Sequence, residues 1–185
     1  TLEAHQDAKR QTPAMDFSLL MIDINGLKPA NDGHGHLTGD QLIIRVAQLL
    51  KAACRSEDIV CRIGGDEFMV LLPQTRLAEG LLVAEKVRLT LCGNEISLSS
   101  GESIRVTASI GVISVPHKTL SIDELLSTSH PVLRKSKQAG KNRVSLDSKD
   151  KIAEDTLAEI LKQLREGKHF YTVKQPIMDL DLQKE

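Results

Sequence analysis

The chain has no tryptophan, and Phe17, Phe68, Phe170 and Tyr171 are all of its aromatics. That scarcity excludes a platform of stacked rings for single-stranded nucleic acid. Cys54, Cys61 and Cys92 are odd in number and lack C-x-x-C spacing. They fit small buried hydrophobes in a reducing compartment, not a disulfide framework. No apolar run approaches the roughly 20 residues that span a bilayer, and no signal peptide is expected. The formal net charge is −1, so no global field favours nucleic acid or a membrane surface. A cytoplasmic location with neither partner is the expectation. What remains is a chain of 185 residues, enough for one domain with a buried core and an appendage.

Apolar patterning divides the chain into alternating elements. Phe17 to Ile24 is a nearly continuous apolar run and predicts a buried strand ending at Asp23. Gly26 to Gly35 predicts a short turn of helix and a loop. Leu42, Val46, Leu49, Leu50 and Ala53 recur at helical spacing, as do Leu77, Leu81, Ala84, Val87 and Leu91. Ile59–Ile63 and Phe68–Leu72 read as the arms of a hairpin, closed by Pro73. Asn94 to Glu102 reads as a polar loop, Ile104 to Val115 as one strand, and Ser121 to Gln138 as a helix broken or bent at Pro131. Asn142 to Leu146 predicts a closing strand. This order suggests an α+β fold, an antiparallel sheet covered on one side by helices.

The hairpin carries the strongest chemical signal. Between its arms stand Gly64, Gly65, Asp66 and Glu67. Gly-Gly tolerates the positive φ of a tight turn and leaves room for a ligand to lie on it. Two acids at the tip suit a divalent metal and phosphates. Adjacent strand residues point to opposite faces, so Asp66 is the expected ligand and Glu67 a supporting one. The blander alternatives are an ordinary surface hairpin, with Asp23 and Asp40 as helix caps. His34 and His36 lack a third ligand and read as loop residues, not a zinc pair.

The string Arg62 to Phe68 resembles the signature of GGDEF domains, the diguanylate cyclase family. Further matching positions are Asp23-Ile24-Asn25, Lys28, Asn31-Asp32, Gly35-His36, Gly39-Asp40, Thr107 to Val112, Lys137 and Gly140-Lys141-Asn142. The resemblance implies a nucleotidyl-cyclase, ferredoxin-like palm (βααββαβαβ) and the joining of two GTP into cyclic di-GMP. It implies Mg²⁺, or Mn²⁺, held by Asp23, the Ile24 carbonyl and Asp66, with Asp66 also accepting the proton of the attacking hydroxyl and Glu67 beside it. It further implies Lys28, Lys137 and Lys141 on the phosphates, and Gly64 and Gly65 against the nucleotide. Asn31 and Asp40 would read guanine, and catalysis would need a homodimer. Lys137 and Lys141, four apart on or just past a helix end, can share one face. Arg55 and Asp58, in an R-x-x-D string, match the family's inhibitory product site, with Lys86 as its further basic residue; alone, that string would mean a helix end and a turn. Gly26-Leu27 replace the family's usual aromatic pair, Asn25 a frequent Asp, and Lys141 a more usual Arg. The altered stretch Ser129 to Lys137, with Pro131, supports a second expectation, a binding module without useful turnover.

A composition shift after Asp147 places a boundary between residues 1–148, the GGDEF-like domain, and 149–185. The family's opening segment is expected upstream of Thr1. Leu164-Arg165-Glu166-Gly167, Phe170 and Gln175 to Leu180 resemble the first helix and strand of EAL phosphodiesterase domains, implying an EAL domain that follows.

Overall fold

The computed structural model describes residues 17–98, 101–115 and 121–147. The expected boundary helix and EAL-like tail lie outside them. Strand β1 (Phe17–Asn25) is followed by helices α1 (Leu27–His34) and α2 (His36–Ala53), then the hairpin β2 (Ile59–Gly64) and β3 (Glu67–Pro73). Helix α3 (Leu77–Gly93), a small hairpin of β4 (Glu95–Ser97) and β5 (Ser103–Arg105), strand β6 (Thr107–Val115), helix α4 (Ile122–Gln138) and strand β7 (Val144–Leu146) complete the order. The main sheet runs β2-β3-β1-β6-β7. All its pairs are antiparallel except β6 with β7, which are joined by the α4 crossover.

β1 is apolar on both faces because it sits at the sheet's centre with both faces covered. Leu20, Ile22 and Ile24 join Phe68, Val70, Leu72, Ile110 and Val112 in one core with Leu42, Val46, Leu50, Ala84 and Val87 from α2 and α3. Leu19, Ile113 and Val115 face the other way and meet Leu125 and Val132 of α4. Helices therefore cover both sides, where the pattern alone suggested one.

Three further expectations change. The expected polar loop from Asn94 to Glu102 contains strand β4, which pairs with β5 just beyond it, and the single strand from Ile104 divides around buried Val106. The segment from Gly26 folds mostly as an eight-residue helix. Helix α4 runs unbroken through Pro131. In the turn before the proline, hydroxyls bond back to the helix backbone: Ser127 and Thr128 donate to the Glu124 carbonyl and Ser129 to Leu126. Ser121 and Glu124 start that helix with a reciprocal capping box, at 3.2 and 2.8 Å.

One close approach fixes α4 on the sheet. A Cβ at Gly111 of β6 would lie 2.6 Å from the Leu133 backbone nitrogen. No other residue type lets the helix backbone come so near the strand.

Candidate functional site

The hairpin tip is built by three anchors. Phe68 is 1 % exposed, and burying such a ring contributes about 2–3 kcal/mol, which pins the chain directly after the two acids. The pairing shifts between Arg62 and Gly64, so that Gly64 faces Glu67 across a turn of Gly65 and Asp66. Gly65 has φ 49°. A Cβ at Gly64 or Gly65 would meet nothing within 4 Å, so the turn lies open. The Arg62 guanidinium donates twice to the Gly65 carbonyl, at 3.1 and 2.9 Å, a planar fork that holds the turn's shape. Sequence reasoning missed Arg62 as a site residue; its place just before the glycines was the available signal. The Ile24 N–H donates to the Asp66 carbonyl at 3.0 Å, which ties the tip to the end of β1.

That tie brings carboxylates together. Asp23 is 6 % exposed and stands directly opposite Glu67 in the β1–β3 register, so the two share a sheet face. Lys137, in the last turn of α4, reaches Asp23 Oδ2 at 2.5 Å. Burial pushes the Asp23 carboxyl above its ordinary range; the Lys137 hydrogen bond opposes this, and the charges of Asp66 and Glu67 add to the rise. Asp23 therefore pairs with a cation and caps no helix: α1 is preceded by Gly26, with no side-chain cap.

The charges of Asp66 and Glu67 act on Asp23, and one ammonium is bonded to it, which leaves an excess of negative charge on hard carboxylate oxygens, donors of the kind that suit Mg²⁺ or Mn²⁺. Among the described residues, no three His, Cys, Asp or Glu side chains form a ready ion cage. Asp23 and Asp66 with the Ile24 carbonyl fit a divalent cation by chemistry, and Lys137 supplies the positive charge in this arrangement.

Around this centre, Asn25 Nδ2 donates to Thr107 and Ser109, both at 3.2 Å, forming a neutral bridge where the family often has a carboxylate. Lys28 is exposed in the first turn of α1. Lys141 does not share a helix face with Lys137. The helix ends at Gln138, and Gly140, Lys141 and Asn142 all have positive φ, with the Lys141 N–H donating to the Ser136 carbonyl at 3.1 Å. The chain reverses there, as at a helix C-terminus closed by a left-handed glycine.

Asn31 and Asp40 lie on neighbouring helices. Asp40 sits in the second turn of α2, whose preceding residue is Gly35 with no side-chain cap. The capping alternative is excluded, and Asp40 is exposed. Asn31 is half-buried, and its Oδ1 is sealed without a hydrogen-bond partner.

Arg55, Asp58 and Lys86 gather at the far end of α2. The Arg55 N–H donates to Asp58 Oδ2 at 2.7 Å, and the Asp58 N–H returns to the Arg55 carbonyl at 3.2 Å. Lys86 Nζ donates to the Ala53 carbonyl at 2.8 Å, closing the end of α2. Between them, burial first and then the Asp58 charge push the Cys54 thiol up to about 12, with Lys86 opposing. The Arg55 residue is exposed.

The family model described as "Diguanylate cyclase, GGDEF domain" matches residues 1–143. The chain is 38% identical over 130 residues to diguanylate cyclase A of Treponema denticola, covering 70% of this chain and 35% of that protein. It is 36% identical over 138 residues to the response regulator PleD of Caulobacter vibrioides, covering 74% and 30%. Among solved structures, the GGDEF domain of DgcB from Caulobacter crescentus in complex with c-di-GMP superposes with a TM-score of 0.67 at 25% identity, covering 78% of this chain and 88% of that one. The α+β sheet with flanking helices and an acid-tipped hairpin defines the class. This chain belongs to the GGDEF domain family. It spans between 30% and 42% of the length of the curated relatives it matches. Among the described residues, no helix is long and apolar enough to cross a membrane.

Proposed function

We propose that this chain is a diguanylate cyclase domain that condenses two GTP into cyclic di-GMP with release of diphosphate. The observation that carries this reading is the tie between Ile24 and Asp66, which sets the hairpin acids beside buried Asp23 at the end of the central strand. The attacking 3′-hydroxyl oxygen forms a bond to the α-phosphorus, the bond to diphosphate breaks, and Asp66 takes the hydroxyl proton. Asp23, Asp66 and the Ile24 carbonyl would hold Mg²⁺, or Mn²⁺, which neutralises triphosphate charge when bound. Glu67 supports Asp23 across the strands. Lys28, Lys137 and Lys141 contact the phosphates, and the open surface of Gly64 and Gly65 lets the nucleotide lie on the turn. Asn31 and Asp40 read the guanine edge. Two protomers face each other so that each hydroxyl attacks the partner's nucleotide, which makes a homodimer the working unit.

Arg55, Asp58 and Lys86 form the product-binding brake of this reading. The exposed Arg55 guanidinium is matched to guanine O6 and N7, while Asp58 and Lys86 also hold the turn and the α2 end. An EAL phosphodiesterase domain following in the same chain is part of the proposal, as is a cytoplasmic location.

A second reading has a specific observation in its favour. Lys137 is already engaged by Asp23, and the helix that presents it carries Pro131. A module that binds GTP or cyclic di-GMP and biases an adjoining EAL domain would have that arrangement. Incubation with GTP and Mg²⁺, followed by chromatography, separates the two. Cyclic di-GMP is expected as product, and Arg55→Ala should relieve its inhibition. GTP binding without product would overturn the cyclase and leave the regulatory module.

A further inference from the structure

We propose that Gly39 is a positioning residue for base recognition: its missing side chain makes the seat that holds the Asn31 amide with oxygen inward and nitrogen outward. The proposal rests on the guanine-reading site described above. Gly39 is buried in the first turns of α2, one residue before Asp40. Glycine in a helix interior is destabilising relative to alanine, so its place there needs a reason. Conformation is not that reason, because Gly39 is absent from the glycines of positive φ. Space is. A Cβ at this position would fall onto Asn31 Oδ1, with Cγ 2.8 Å and Nδ2 3.0 Å away. The asparagine amide occupies the volume that any side chain at position 39 would fill.

The same seat sets the sense of the amide. Asn31 Oδ1 is buried with no hydrogen-bond partner, an uncommon state for a polar atom. Turning the amide over would bury two N–H donors in the same place instead of one acceptor. An oxygen against the C–H surface of a glycine is the lesser cost. With the oxygen sealed, the group of Asn31 left to meet a base is its NH₂, a donor, while exposed Asp40 on the facing helix is an acceptor. A donor beside an acceptor complements guanine, whose O6 accepts and whose N1–H and N2–H donate. It opposes adenine, whose 6-amino group donates and whose N1 accepts. Gly39 touches no base in this account; it acts through Asn31.

Equilibrium titration of GTP, and of ATP as the mismatched base, against the full chain with Mg²⁺ tests this in four proteins: the parent, Gly39→Ala, Asn31→Ala and the double variant. Gly39→Ala is expected to weaken GTP binding about tenfold or more and to narrow the preference over ATP. In the Asn31→Ala background the same glycine change is expected to do nothing further to affinity. That background also removes the steric overlap, so the comparison of Asn31→Ala with the double variant decides the matter even if Gly39→Ala alone folds poorly. GTP affinity and base preference unchanged by Gly39→Ala, or an equal loss in both backgrounds, would overturn the positioning role while leaving the guanine site standing. If Asn31→Ala itself leaves GTP binding intact, the base-site reading fails and the role of Gly39 fails with it.

Discussion

On one side of the strand-end site, the buried Asp23 carboxylate meets an ammonium carried by another element, Lys137 of α4. On the other, the Asn31 amide oxygen is sealed against Gly39 with no partner. The first arrangement is charged and already compensated; any phosphate or cation arriving there must rearrange an existing ion pair. The second is neutral and uncompensated on its inner side; a base arriving there finds a fixed donor and displaces nothing. The contrast teaches that chemistry and recognition are held by different physical means. One is an electrostatic balance sensitive to charge, the other a steric seat sensitive to volume.

The comparison breaks most decisively at Asp66. Asp66→Asn should lower cyclic di-GMP formation by about a thousandfold or more, measured by chromatography, while GTP binding falls only a few-fold. Equal loss of both would mean that the two sides are not separable. Asn31→Ala is the opposite cut. A rise in KM for GTP of about ten- to a hundredfold, with kcat nearly kept, is expected from steady-state kinetics. A fall in kcat instead would place Asn31 in the chemistry.

Removing the cation alone is a smaller test. Lys137→Met leaves Asp23 buried without its partner. Loss of a fully buried pair costs about 3–5 kcal/mol, which solvent at the lysine reduces to about 1–2 kcal/mol; Lys137 is 37% exposed. Urea unfolding without Mg²⁺ measures this, and restoration of the loss by Mg²⁺ would show that metal and ammonium are interchangeable.

The pH dependence is the finest probe. The folded Asp23 carboxyl is raised above its ordinary 3.8, by burial first, so the folded state holds that proton more tightly than the unfolded chain. Its contribution to stability is fully present below 3.8 and is lost as pH rises through the raised value. Asp23→Asn should remove this slope, gaining on the parent above the window and matching it near pH 3 in metal-free thermal melts. A parallel pair of curves would count against the electrostatic account of that side.

Much of the scaffold was legible before any coordinates. The β1 run, the α2 and α3 stripes and the hairpin arms each follow from a period that burial imposes. Short polar strands were not. Glu95, Ser97, Ser103 and Arg105 are exposed, and only Ile96 and Ile104 turn inward, too few for alternation to register. At the site, two acids at a hairpin tip pointed to Asp66 and a strand-end acid to Asp23, while Asn31 and Asp40 were named only through the resemblance to the family's motif. The sharing of one face by Asp23 and Glu67 needed the cross-strand register, and whether Lys141 stood on the helix or just past it was decided only by the helix's stop at Gln138. Arg62 and Gly39 act by shaping their neighbours, and such roles have no composition to betray them.

The contact of Gly111 with the Leu133 backbone has a consequence for the reach of Lys137. With no side chain between strand and helix at that point, α4 has little freedom there to ride up or slide, and the contact helps to register its last turn against the sheet. The gap between ammonium and carboxylate is then a manufactured tolerance, set about one helical turn away from the ammonium itself. A methyl group at position 111 would act as a shim, lifting the helix and loosening the ion pair without altering a single charge.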